Sequence, residues 1–484
     1  MSTRSLSKAL AAAVGSALLA GCVAGPDFKR PEPPSAQRYT AQPLRSEIDT
    51  GSGDASPQHL IPGEAPDPQW WRLFQSDALN NVVQRALEGN RTLVVASWSL
   101  AQAQELANAR AGARGPQVGL TAGVGRQKYG AEFLGTLPAP PPFTYFAVGP
   151  TVSYTLDYTG GVARSVEQQR ALAEYRQHQL EAAGLAVAGQ AVTQALRIAS
   201  LQAQIATVEA LLDRDRENLK LVQLAFDAGS VARVDIVSAQ SQLASDTTLL
   251  PPLRQELSVA RHALAIVIGG TPAETGPLEF DLAQLALPQN LPVSVPSELA
   301  RRRPDILAAE AQLHAATAAV GVAEANLYPR IDLTASTGQQ SITLGHLFDR
   351  ASNVWSLTSG LTAPIFDGGT LRAQKRAAID AMRSSAANYE QTVLEAFGQV
   401  ADSLEALDHG AEELQAQAHA ESAARDNVDM TRQSYREGNV GVLQVLDAER
   451  RYQQARLGYV RAQAQRYIDT VQLFLALGGT RPNA

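Results

Sequence analysis

The chain is written twice. Residues 86–125 resemble residues 299–338, with Leu93 opposite Ile306, Leu100 opposite Leu313, Pro116 opposite Pro329 and Gly125 opposite Gly338. Farther along, Gly160-Gly161 matches Gly368-Gly369, Asn218 matches Asn427, and Gly229 matches Gly438. Both copies close alike, on Gly269-Gly270-Thr271 and Gly478-Gly479-Thr480. Any fold must therefore accommodate two copies of one unit. A connector bearing Pro272, Pro277, Pro288, Pro292 and Pro296 joins them.

Each copy reads as helix, strand, loop, strand, very long helix, turn, helix. The strands are expected at about 117–126, 144–157, 330–338 and 353–366. They alternate with period two. In the first, Val118, Leu120, Ala122 and Val124 interleave with Gln117, Gly119, Thr121 and Gly123. In the fourth, Trp355, Leu357, Leu361 and Ile365 stand against Ser356, Thr358, Gly360 and Thr362. Strands of this length can cross a bilayer when tilted. One greasy and one small polar face suit lipid outside and water inside, although a half-buried soluble sheet alternates in the same way. Four strands cannot close a barrel, and an open edge in lipid leaves backbone groups unpaired. Spanning strands would therefore require an oligomer, and sequence physics alone leaves its order open.

The long helices are expected over about 161–226 and 369–435, and their return helices over about 233–268 and 442–477. Neither long segment holds a proline, and each would extend roughly 100 Å at 1.5 Å per residue. Leu196, Leu201, Ile205, Val208 and Leu212 form a narrow apolar stripe, so such helices need partners along their length. Gly229 and Gly438 should end them, because glycine accepts the left-handed conformation of a helix stop. Each copy thus carries a helical hairpin with its tip far from the strands.

The N-terminus is an address. Arg4 and Lys8 precede a small apolar run from Ala9 to Ala20, which ends in Leu19-Ala20-Gly21-Cys22. That is a secretory signal, too short to remain as a membrane-spanning helix. Its end resembles the bacterial lipobox, which implies a lipoprotein signal peptide over 1–21 and N-acyl and S-diacylglycerol lipid on Cys22. Val23 in place of an aspartate implies the outer membrane. Cys22 is the sole cysteine, so no disulfide within the chain is possible. Residues 22–66 carry Pro31, Pro33, Pro34, Pro43, Pro57, Pro62 and Pro66 and read as an extended lipid-anchored strap. The first structural repeat is then 67–289 and the second 290–484.

Several functions are disfavoured. The seven histidines are scattered, with no HExxH, no phosphate-binding loop and no nucleophile elbow. We expect no catalytic residue, no metal site and no other cofactor. Net charge is −7 with both signs mixed, so nucleic acid is not an expected partner.

Ordered segments along nearly the whole mature chain resemble the TolC family, in its lipoprotein branch of OprM-like outer-membrane factors. They are Cys22-Val-Ala-Gly-Pro-Asp-Phe-Lys-Arg-Pro31, Gln69-Trp-Trp-Arg-Leu-Phe74, Pro296-Ser-Glu-Leu-Ala-Arg-Arg-Arg-Pro-Asp-Ile306, Ala325-Asn-Leu-Tyr-Pro-Arg-Ile-Asp-Leu333, Pro364-Ile-Phe-Asp-Gly-Gly369 and Val445-Leu-Asp-Ala-Glu-Arg450. The resemblance implies a mainly α fold with a β-barrel part. It implies a homotrimer with a twelve-stranded outer-membrane barrel, a twelve-helix periplasmic tunnel and a mixed equatorial belt. It also implies the exit channel of a tripartite efflux pump, whose partners are a periplasmic adaptor and an inner-membrane RND-type transporter. A type I secretion duct, or a non-conducting periplasmic lipoprotein strut, would be the alternatives.

The resemblance also points to the tips. Family members place acidic residues one turn apart facing the pore, and the matching positions are Gln444 and Asp447. Three inward carboxylates would form a cation-attracting ring, which the glutamine weakens. Asp235 and Tyr435 occupy positions that join the closing network, and Val440 stands where some members carry an arginine lock. Adaptor docking is expected at Gly229, Val231, Gly438 and Val440. Asp235 and Asp447 also lie near helix starts, where the helix dipole alone favours acids.

Overall fold

A computed structural model of the chain describes residues 23–32, 35–36, 38–42, 45, 47–48, 57–130 and 141–478. The expected signal peptide and the lipid site at Cys22 lie outside these residues.

Two short strands, β1 (Glu47–Ile48) and β2 (Gln58–Pro62), precede a tight 3-10 turn at Trp70–Phe74. Helices α1 (Asp77–Gly89) and α2 (Arg91–Gly112) lead into β3 (Gln117–Gln127) and β4 (Phe143–Leu156). The long helix α3 (Gly161–Asp227) follows, then α4 (Arg233–Thr247), α5 (Leu250–Val267) and the single turn α6 (Pro272–Thr275). Strand β5 (Asn290–Val293) opens the second half. Helices α7 (Pro296–Arg302) and α8 (Pro304–Ala325) run to β6 (Arg330–Ser341) and β7 (Asn353–Thr362). The second long helix α9 (Thr370–Arg436) and its return α10 (Val442–Ala476) complete the order. Helices hold 66% of the described residues, which makes the fold mainly α.

The chain forms two compact units. One holds residues 1–31, 99–176 and 309–389, and the other holds 32–98, 177–308 and 390–484. In the first lies an antiparallel sheet of order β3-β4-β6-β7, so the two copies meet where β4 pairs with β6. Its register sets Val118 opposite Val152 and Val124 opposite Phe146, Tyr154 opposite Leu333 and Ile331 opposite Leu361. One face thus gathers apolar side chains from all four strands, as period-two alternation requires. Gly149 and Gly338 let β4 and β6 approach: a Cβ on Gly149 would stand 2.2 Å from the Thr337 carbonyl oxygen. The fourth strand stops at Thr362, short of the expected Phe366. Pro364 has no N–H to donate to a ladder.

The second unit is helical, with a small sheet of order β1-β2-β5. This corrects the reading of residues 22–66 as a simple strap, because β2 pairs in parallel with β5. The buried Gln58 amide donates to the Pro288 carbonyl at 2.7 Å and to Thr470 at 3.2 Å. Trp70, fully buried, stacks on Phe474 with ring centroids 5.3 Å apart. Burial of so large a ring supplies at least ~3 kcal/mol of anchoring. Leu196, Leu201, Val208 and Leu212 of the expected stripe are buried. The return limb of the first copy departs from expectation. It is not one helix over 233–268 but two, because Pro251 and Pro252 start α5 afresh. Proline lacks the donor an interior turn needs but is tolerated in a first turn.

Candidate functional site at the hairpin tips

All the expected gate and docking residues lie in the second unit, around the turns where α3 meets α4 and α9 meets α10. Both helices stop in the same way. Gly229 and Gly438 take φ +72° and +76°. The Gly229 N–H donates to the Phe226 carbonyl at 2.8 Å and the Ser230 N–H to that of Ala225 at 2.8 Å. At the second tip, Gly438 donates to Tyr435 at 3.0 Å and Asn439 to Ser434 at 2.9 Å. These paired bonds are Schellman stops, which satisfy the last carbonyls of each helix.

An apolar plug joins the two tips. Val222, Ile236, Ala239, Val442 and Leu446 form one buried cluster, with Leu219, Val231 and Tyr435 packed against it. The plug draws on α3, α4 and α10, so the two hairpins share it. Tyr435 and Val231 therefore serve packing here, whereas Gly229 and Gly438 are exposed with open space around them.

The acidic residues have specific partners. The Asp235 carboxylate accepts the Ala232 N–H at 2.9 Å and caps the start of α4. Ala232 offers no side-chain acceptor in return. Gln444 holds the matching place in α10 and is exposed. Asp447 is bonded by Arg450 at 2.6 Å and Arg451 at 2.8 Å. The hydrogen bond from Arg450, reinforced by the charges of Arg451 and Arg450, holds its carboxyl below the usual range. The carboxylate is thus outnumbered by cations on its own helix, which the cation-ring expectation did not take into account.

Next to the plug in sequence lies a buried polar layer that sequence reasoning missed. Glu449, 3% exposed, accepts from Arg432 at 2.7 Å and from Asn218 at 2.5 Å. It ties α3, α9 and α10 together through charge-assisted bonds. Asp215 of α3 and Asp246 of α4, both buried, bring their carboxyls within hydrogen-bonding reach. Gln242 donates to Asp246 at 2.7 Å. Burial first, then the charges of Asp246 and Glu449, push Asp215 up to about 7. Two like carboxylates in contact cannot both ionise cheaply. A signal was present in the sequence: Asp215 falls on the same helical stripe as Leu211, Leu212 and Val222.

The sequence profile described as outer membrane efflux protein matches residues 82–270 and 295–479. The chain belongs to the outer membrane efflux protein family. The two matched segments fall one on each copy of the duplication. Among this family's members, the toluene efflux pump outer membrane protein TtgC of Pseudomonas putida is 29% identical over 472 residues, covering 97% of this chain and 95% of that one. SilC of Salmonella typhimurium, whose name includes the words outer membrane lipoprotein, is 26% identical and covers 96% of each. Among solved structures, the outer-membrane channel OprN superposes with a TM-score of 0.83 at 29% identity, covering 95% of this chain and 100% of that one. The open-state MtrE channel of Neisseria gonorrhoeae gives 0.80 at 25%, covering 95% and 99%. This efflux protein is located in the outer membrane.

Proposed function

We propose that three copies of the chain close a twelve-stranded barrel in the outer membrane, continued by a twelve-helix tunnel in the periplasm. The observation that carries this is the pair of free sheet edges. Among the described residues, β3 and β7 each pair on one side only. Val118, Leu120, Trp355 and Leu357 on those strands are more than 70% exposed. Bare apolar residues suit a lipid-facing surface, but free strand edges are not stable in lipid unless a neighbouring copy pairs with them. The helical count supports the tunnel, since α3, α4 with α5, α9 and α10 give four limbs per chain.

The chain serves as the exit channel of a tripartite efflux pump. The gate is formed at the tips by Tyr435, Gln444, Asp447 and Asp235. An adaptor protein grips the turns at the exposed Gly229 and Gly438 and the half-buried Val231 and Val440, and links the channel to an inner-membrane RND-type transporter. Relatives are named for toluene, antibiotic and pyoverdine efflux or export. Cargo so varied suits a water-filled duct that does not read it, and small organic compounds are the cargo class we assign. Lipid on Cys22 anchors each chain.

Light scattering on the detergent-extracted protein, corrected for bound detergent, tests the core of this reading. Three chains per particle are expected. A stable monomer would leave both edges bare and end the channel reading in favour of a lipid-anchored strut.

A further inference from the structure

The run Val23–Pro31 carries the family resemblance, yet the channel needs none of it so far. In the first unit these residues are held closely. The Ala24 N–H donates to the Thr159 carbonyl at 2.8 Å. Arg164, 4% exposed, donates to the Ala24 carbonyl at 3.1 Å, to Asp27 at 2.5 Å and to Glu167 at 2.8 Å. Phe28 stacks on His314 with ring centroids 4.4 Å apart, and His314 is bonded to Glu167 at 3.0 Å. Arg30 meets Glu310 at 2.9 Å.

The backbone fits as closely as the side chains. Gly25 takes φ +82°, and a Cβ there would lie 2.4 Å from the Gly321 Cα. A Cβ on Gly321 would in turn lie 2.7 Å from the Ala24 carbonyl oxygen. Gly160, at φ +73°, faces Val23 in the same way, with 2.9 Å between a built Cβ and Val23 Cγ1. Both sides of the contact have given up side chains.

We infer that the β4–α3 turn, the first turn of α3 and the middle of α8 form a peptide-binding groove whose ligand is the chain's own segment Val23–Pro31, with Arg164 as the residue that reads it. Without the segment, the Arg164 guanidinium would keep Glu167 but lose the Ala24 carbonyl and Asp27. A buried charge stripped of partners is costly, so the groove is built to be filled. The Asp27 end is open to solvent, at 85% side-chain exposure, so its ion pair adds little by itself. The carbonyl bonds, the ring stack and the glycine contacts carry the specificity.

The consequence rests on the reading of Cys22 as the lipidated residue. A free strap over residues 22–66 would let its ends wander by roughly 35–40 Å. With Val23 held, the lipid-bearing residue stands one peptide unit, about 3.8 Å, from a clamped backbone. The acyl chains then ride on the β4–α3 turn and not on a leash.

Trypsin cleavage after Lys29 reads the dock, because a protease must pull an extended segment into its cleft. The probe is the full-length chain in detergent, with the N-terminal fragment quantified by mass spectrometry. Cleavage in Arg164→Met and Gly321→Ala is expected to be roughly 10-fold or more faster than in the wild type, from the loss of charge-assisted bonds or of clearance. Gly321→Ala favours α8 as a helix, so faster cleavage there reports the groove and not unfolding. Equal rates in the wild type and both variants would overturn the groove. A Cys22→Ser chain should stay protected, and its cleavage at the variants' rate would also overturn it. The fragment's mass reports acylation separately. Its absence would refute the lipid reading and leave the groove judged by the rates alone.

Discussion

At the scale of single residues, the tips show where a side chain is forbidden by backbone alone. Gly229 and Gly438 sit in left-handed conformations with nothing within 4 Å of a built Cβ. Alanine at either site meets no neighbour and should still cost ~1 kcal/mol through the left-handed backbone. Thermal unfolding of Gly229→Ala and Gly438→Ala should show that loss. A drop no larger than that of an exposed helical substitution would argue against the Schellman assignment. Asp447 makes a different prediction. Its carboxylate is held by Arg450 and Arg451, so three copies at a constriction would bring more positive than negative charge. Asp447→Ala removes the only carboxylate of that trio. Reversal potentials in a planar bilayer under a salt gradient should shift toward anion preference. An unchanged conductance and an unchanged preference would exclude Asp447 from the gate. Both glycines were readable in the sequence because a helix stop imposes one backbone state. The ion partners of Asp447 also lie only three and four residues away, but such a pair is ordinary on a solvated helix face and signals nothing by itself.

At the scale of elements, the long helices follow from their lack of proline and their repeating stripe. The break in the first return limb does not announce itself in the periodicity. Ile236 and Ala239 of α4 and Leu253 and Leu257 of α5 are all buried, so the apolar pattern runs across the Pro251-Pro252 pair that divides them. The buried carboxyls were harder still, since acids on a helix normally mark its wet face and only contact with a second helix reverses that. Asp215 and Asp246 give the pair a pH signature. Asp215 titrates near 3.8 when free and about 7 when folded. A raised folded value means that the fold holds the proton more tightly. That contribution is complete below the free value and is lost as pH rises to the folded one. Chemical denaturation between about pH 4 and 8 should therefore show stability falling as pH rises on this account. Asp215→Asn should remove most of that slope. A wild-type slope matched by the variant's would show that the pair shares no proton. The second copy cannot repeat the effect: the offset that pairs Gly229 with Gly438 pairs Asp215 with Ala424 and Asp246 with Ala455.

At the scale of the whole molecule, the two copies are joined by strand pairing, and Gly149 and Gly338 mark the join. A Cβ at Gly149 would press on the Thr337 carbonyl oxygen at 2.2 Å, which is backbone and cannot swing aside. Gly149→Val should part β4 from β6 and prevent the proposed trimer from forming, as read by light scattering in detergent, while the helical content seen by circular dichroism persists. An intact oligomer would show that the sheet bends to admit the side chain. The duplication and the four strands were legible from the repeat spacing and from period-two alternation. The small sheet was not, because β1 and β2 are short, β2 ends in a proline, and its second partner β5 lies far along the chain. That last pairing has a consequence in time. Strand β2 lies within the first 62 residues and its parallel partner β5 begins at Asn290. The intervening chain is the entire first copy, and closing so long a loop is slow. If the chain crosses the inner membrane from its N-terminus, as its signal sequence predicts, β2 can pair with β1 at once but lacks its parallel partner until more than half the polypeptide has followed. The first copy must wait, uncompleted, for the arrival of the second, so a molecule that arose by doubling can no longer be made by halves.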